Sequence, residues 1–323
     1  MTGRAVRLPC DETEWQYDVP RQGDGNPMSD IVAATFPDGV VLGSDTSNSI
    51  PGPPSDYDGP MPPEVTQRGG LLKVFEGRET VLSLGPRPIG VAIYGTPMIG
   101  SRSIESHFQE FVVSDPNGVI SGPSTLQAVA DELRSFFFRL HEKIVIPSVA
   151  EFRKRPYDEV PESERPSFGF VLGGYSANSY SGETWHVFIP TNKESVQLRK
   201  PGDHSFNWFG NIDPINRYLK GYSDNMIDEL RKYIELGRGK PFSDQEKQDI
   251  DRIIDKSEYL MPATAMPLTV GVELVRFLVS LSINYHRFAI GPAYVAGGPK
   301  IGIANYTGGQ FEILGKRSVN NEV

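Results

Sequence analysis

Cysteine is all but missing from this 323-residue chain. A single Cys10 leaves no internal disulfide framework and no cysteine-based metal site. Basic residues are outnumbered, 32 Lys and Arg against 41 Asp and Glu. The formal charge of −9 argues against nucleic acid or an anionic membrane as the main partner. No apolar run approaches the roughly 20 residues that span a bilayer, so no membrane partner is expected. Residues 1–27 lack the apolar central region of a secretory signal. Together these absences predict a soluble, cytoplasmic protein.

Catalytic signatures are equally sparse. The five histidines are scattered singly with no H-E-x-x-H spacing, so no metal is expected. The pairs Gly69-Gly70, Gly173-Gly174, Gly297-Gly298 and Gly308-Gly309 sit in no phosphate-binding frame opening a helix. They read as tight turns or close packing, and no cofactor is expected. The G-x-S-x-G nucleophile elbow is missing too.

What is present is a clear succession of elements. Residues 1–27 are polar and without sustained period, a leader or arm. A hairpin follows at 30–44. Residues 46–64, "TSNSIPGPPSDYDGPMPPE", hold six prolines and read as an extended surface loop. "LLKVF", "TVLSL" and "IGVAIYG" read as strands. "SRSIESHFQEF" places Ile104, Phe108 and Phe111 on one helical face. In "STLQAVADELRSFFFRLHEKI" apolar residues recur at helical spacing from Leu126 to Ile144, with Ser124 as the expected N-cap. Strands resume at "SFGFVLGGYS", "TWHVFIP" and "FNWFGN". Charged helices occupy "DNMIDELRKYIEL" and "SDQEKQDIDRIIDKSEYL", whose acidic residues read as a solvated face, and the helix "LTVGVELVRFLVSLSI" comes after them. "YVAGG", "KIGIANY" and "QFEIL" end the chain as strands. Segregated runs of strands and helices predict an α+β sandwich with an antiparallel core.

One stretch carries more than secondary structure. In "MSDIVAATFPDGVVLGSD", residues 28–45, two apolar runs flank a Pro-Asp-Gly turn, and Asp45 lies sixteen residues after Ser29. This hairpin resembles the opening of the β-type subunits of the proteasome and of the related bacterial HslV peptidase. These belong to the N-terminal nucleophile (Ntn) hydrolases. In that family a mature chain opens on a nucleophilic Thr, and a functional Asp follows sixteen residues later. "LLKVF" is similar to the family's "K-I-Y/F" strand, and "AIYGT" to its turn before the first helix.

The resemblance implies a four-layer αββα sandwich of two antiparallel sheets flanked by helices. It implies a domain at 29–316, a leader or propeptide at 1–28, a charged helical insert at about 223–262, and a tail at 317–323. It assigns Ser29 as nucleophile, Asp45 as orienting carboxylate and the Gly95 N–H as oxyanion donor. The freed α-amine of Ser29 would be the base, since its pKa of roughly 7.7–8.0 leaves a useful neutral fraction near pH 7. It also implies a homo-oligomer such as a ring, a peptide or protein substrate, and an ATPase unfoldase as partner. That amine is an amide until the Met28–Ser29 bond is cut or synthesis begins at Met28 and that residue is removed.

The chain departs from the family at three places. Serine replaces threonine. The tuning lysine's position falls on Gly70, near Arg68, which could supply charge but not exchange a proton near pH 7. The late "R-D-x-x-S-G" segment has no Asp or Ser at the right distance before Gly297, with Asn284 or Tyr285 in that region. Two other readings therefore stay open: a non-catalytic, ring-forming assembly subunit, and an Ntn amidohydrolase acting on a small amide, with 46–64 as its lid or specificity loop.

Overall fold

The computed structural model describes residues 29–51, 71–255, 261–289 and 295–314. In chain order, strands β1 (Ile31–Phe36), β2 (Gly39–Ser44), β3 (Ser47–Pro51), β4 (Leu71–Glu76), β5 (Val81–Ser83), β6 (Ile89–Gly95), β7 (Met98–Ile99) and β8 (Arg102–Ser103) come first. Helices α1 (Ile104–Ser114), α2 (Leu126–Leu140) and α3 (Ile146–Arg153) follow, the last two joined by a π turn at His141–Val145. Next are β9 (Phe168–Gly174), β10 (Glu183–Ile189), β11 (Val196–Arg199) and β12 (Phe206–Phe209). The chain continues through α4 (Asp213–Leu219), α5 (Asp224–Arg238), α6 (Asp244–Asp255) and α7 (Leu268–Phe288) to β13 (Lys300–Ala304) and β14 (Phe311–Leu314).

Two five-stranded antiparallel sheets dominate, ordered β12-β1-β2-β13-β14 and β11-β10-β9-β6-β5. Strands β1 and β2 are buried along their whole length, which explains why they read as apolar runs instead of alternating ones. Their side chains still alternate between two surroundings. Val32, Ala34, Phe36 and Val41 pack in one cluster with Val272, Val275, Leu278 and Val279 of α7. Ile31, Ala33, Val40 and Leu42 pack in another with Val81, Ala92, Tyr94, Val171 and Phe188 of the second sheet. The remaining face of the second sheet, with Ile93, Phe168, Phe170 and Leu172, packs on Phe108 and Phe111 of α1 and Leu133 and Phe137 of α2.

Several expectations need correction. The N-cap of α2 is Thr125, whose hydroxyl accepts from the Ala128 N–H; Ser124 Oγ instead meets Arg87 and the Val119 carbonyl. Part of the proline-rich loop is strand β3, antiparallel to β4, because an edge pairing tolerates Pro51 at its end. Residues 52–64 lie outside the described residues. Residues 295–298 of the expected "YVAGG" strand are irregular, and Tyr294 lies outside the described residues. Strand β11 and helix α4 were not anticipated, since both are short and mixed in polarity.

Helix α7 extends through Asn284–Phe288 and, by length and composition alone, could cross a bilayer. Glu273 and Arg276 interrupt its apolar run in sequence, which hid that length. One of its faces, from Gly271 to Ile283, is buried in the protein.

Candidate functional site

The site is built where β1 begins and β2 ends. The ladder pairs Ile31 with Ser44, which brings the next residues outward, Asp30 and Asp45, opposite each other. The Asp30 N–H donates to Asp45 Oδ1 at 2.8 Å, and the Asp45 N–H faces the Asp30 carbonyl at 3.4 Å. Ser29, Asp30 and Asp45 are wholly shielded from solvent. The Asp45 carboxylate thus grips the amide that follows Ser29.

Asp45 collects further donors. The Ser47 N–H reaches Oδ2 at 3.1 Å, the Ser47 hydroxyl bonds the same oxygen, and the Ala296 N–H lies 3.4 Å away. The Thr80 hydroxyl donates to the Asp45 carbonyl at 2.6 Å, fixing the backbone. Burial pushes the Asp45 carboxyl up to about 6; its bonds from Ser47, Asp30 and Ala296 pull the other way. The late segment therefore meets this site through the backbone of Ala296, and the Gly298 N–H bonds Thr46 Oγ1 at 3.2 Å.

Asp30 has its own partners. The Asn211 N–H donates to Oδ1 at 2.5 Å, and the Ser282 hydroxyl of α7 bonds Oδ2. Burial, then the neighbouring Asp45, hold its carboxyl well above the usual carboxylate range. Gly210 makes the turn after β12 possible. Its φ of +103° suits glycine, and a Cβ there would stand 2.1 Å from the Ser29 carbonyl oxygen and 2.7 Å from Asp30 Oδ1.

Gly95 closes β6 in the second sheet, opposite Phe168, with φ +88°. A Cβ there would meet the Ser167 carbonyl at 2.5 Å, so this turn also needs glycine. The preceding residue, Tyr94, lies between the sheets. Its ring stacks on Phe209, the ladder partner of Ile31, and its hydroxyl lies 2.7 Å from His186 Nε2. Burial lowers the His186 imidazole to about 3 and raises the Tyr94 phenol, so the pair is neutral. A continuous stack thus runs from the strand carrying Gly95 to the strand beside β1.

Ser29 and Asp45 therefore share one end of the hairpin, while Gly95 belongs to the facing sheet. Asn284 and Tyr285 lie on α7 beyond Ser282, and the Tyr285 side chain is exposed. Gly70 and Arg68 lie outside the described residues. Among the described residues no group of three or more His, Cys, Asp or Glu is set to hold a metal ion. Asp30, Ser282, Asn211, Ser47 and Thr80 were not anticipated. One signal was legible, a serine in the apolar stripe of α7.

The fold and site define a mixed α/β protein with two large antiparallel sheets, whose first strand opens on a buried serine beside a paired-carboxyl cluster. Known families and curated proteins provide no match to the chain. Among solved structures, it is similar to an Anbu (Gly-1) mutant from Hyphomicrobium sp. strain MC1. Identity is 10%, with a TM-score of 0.43, over 89% of this chain and 85% of that one.

Proposed function

We propose that this chain is a proteasome-like Ntn hydrolase, a four-layer αββα sandwich over 29–316, that cleaves peptide or other amide bonds. Loss of residues 1–28 would turn the Ser29 nitrogen into a free amine. That amine takes the hydroxyl proton as Ser29 Oγ attacks the substrate carbonyl, and the Gly95 N–H faces the developing oxyanion. The proton passes to the departing amine, leaving an ester on Ser29. Water activated by the same amine then hydrolyses that ester and restores the hydroxyl.

The observation that carries this reading is the bond from the Asp30 N–H to Asp45 Oδ1. It ties the peptide directly after the nucleophile to the carboxylate sixteen residues on, and so sets the direction in which the Ser29 amine and hydroxyl leave the strand. The family's unfoldase-coupled, cytoplasmic ring belongs to the same proposal. The competing reading, a non-catalytic assembly subunit, draws on the late segment, where Ala296 brings only a backbone N–H to Asp45.

Intact mass and N-terminal sequencing of the purified protein test the first step, with Ser29 expected as the first residue. The mature form should turn over a fluorogenic peptide and form an adduct with a hydroxyl-directed covalent inhibitor, and Ser29→Ala should abolish both. A chain that keeps residues 1–28, or a mature chain inert to peptide and inhibitor alike, would hand the site to the assembly reading.

A further inference from the structure

Two buried carboxyl residues, Asp30 and Asp45, stand opposite each other just after Ser29, and their donors are unequally shared. Asp45 is approached by the N–H groups of Asp30, Ser47 and Ala296 and by the Ser47 hydroxyl. Asp30 has the Asn211 N–H and the Ser282 hydroxyl. No Lys, Arg or His is among the hydrogen-bond partners of either carboxyl in the described residues. Two like charges opposite each other in a buried ladder cannot both be sustained without a cation, so one negative charge serves the pair. It settles where the donors are more numerous, on Asp45.

Asp30 also joins three separate elements. It lies at the head of β1, its Oδ1 holds the turn after β12, and its Oδ2 holds the middle of α7. The same turn passes the Ser29 carbonyl at Gly210, where there is no room for a Cβ.

We propose that Asp30 is a positioning residue of this site: as a neutral carboxyl it clamps the head of β1 to Asn211 and Ser282, and so leaves the pair's single charge on Asp45. In that state the Ser282 hydroxyl, a donor to the ionised carboxylate, turns to accept from Oδ2–H, while Oδ1 accepts from the Asn211 N–H. The catalytic half of this inference rests on the hydrolase reading above.

An asparagine reproduces both bonds, because its amide NH₂ donates to Ser282 and its carbonyl accepts from Asn211. In the mature protein Asp30→Asn should therefore keep kcat within roughly 3-fold. Asp30→Ala should lower kcat about 100-fold with KM little changed, since the nucleophile loses its alignment rather than its substrate contacts. Ser282→Ala, which leaves the carboxyl in place, should cost about 10-fold in kcat and serves as the second variant if Asp30→Ala does not fold.

Infrared difference spectra of wild type against Asp30→Asn at pH 7 should show a protonated-carboxyl C=O band that the variant lacks, whether or not peptide is turned over. A missing band, or an Asp30→Asn variant as impaired as Asp30→Ala, overturns the inference. Absence of wild-type turnover with the band present instead removes the hydrolase reading, together with the catalytic half of the inference, and keeps the neutral clamp.

Discussion

At the scale of single residues, Asp45 and His186 are buried groups that titrate in opposite senses. The Asp45 carboxyl rises from 3.8 to about 6 on folding, so between those values the native state holds more protons than the unfolded chain. Its contribution to stability therefore falls as pH rises from about 4 to 6, by up to about 3 kcal/mol, and is level above that. His186 drops from 6.5 to about 3, so the unfolded chain holds the extra proton, and stability is lost as pH falls from 6.5 towards 3.

Urea denaturation from pH 3 to 8 should resolve both slopes. Asp45→Asn should remove part of the loss on the alkaline side of pH 4, the remainder belonging to Asp30, whose carboxyl is also raised. His186→Phe should remove the acid-side loss, while lowering neutral-pH stability by about 1–3 kcal/mol because the Tyr94 hydroxyl loses its partner. Asp45 could be found in the sequence by counting from Ser29. Asp30 could not, because a carboxylate at the end of a polar leader reads as solvated, and only the arrival of α7 and the turn after β12 buries it.

At the scale of elements, α2 was legible because its apolar residues recur every three or four positions. Its start was not, since Ser124 and Thr125 are both good caps and only backbone geometry chooses between them. Thr125→Ala should cost about 1 kcal/mol through loss of the cap bond to Ala128. The middle of the helix matters more. Phe137 is wholly buried, with its ring 4.4 Å from that of Phe170 and 5.8 Å from that of Phe168. Phe137→Ala should cost about 3–5 kcal/mol in urea melts. A loss near 1 kcal/mol would mean that the helix sits loosely on the sheet.

Helices α5 and α6 belong to a different regime. They are joined by ion pairs at Arg238–Glu246 and Arg231–Asp251, with Asp251 more than half exposed. Arg231→Ala should change stability by less than about 1 kcal/mol. Their existence followed from charge and periodicity, whereas β3 was hidden by the prolines around it, which mask a short two-stranded ladder.

At the scale of the whole molecule, the central event is the meeting of two sheets. Tyr94, His186, Phe188 and Phe209 stack between them, with the His186 and Phe209 centroids 4.6 Å apart. The proposed assembly is tested at this scale by native mass spectrometry of the mature protein. A ring of identical subunits is expected, and a stable monomer would count against the proteasome-like role.

The sequence by itself determined the hairpin, its register from Ser29 to Asp45, and the amphipathic faces of the main helices. These depend on neighbours a few residues apart, where turn chemistry and periodicity act directly. Tertiary structure alone decided that Asp30 is buried, that Ser282, 252 residues away, becomes its partner, and that the late segment meets Asp45 through a backbone N–H. Such contacts join chain segments far apart in sequence. They exist only once apolar burial has drawn α7 and the turn after β12 onto the first strand, and buried polar groups must then find partners among whatever packing has brought within reach.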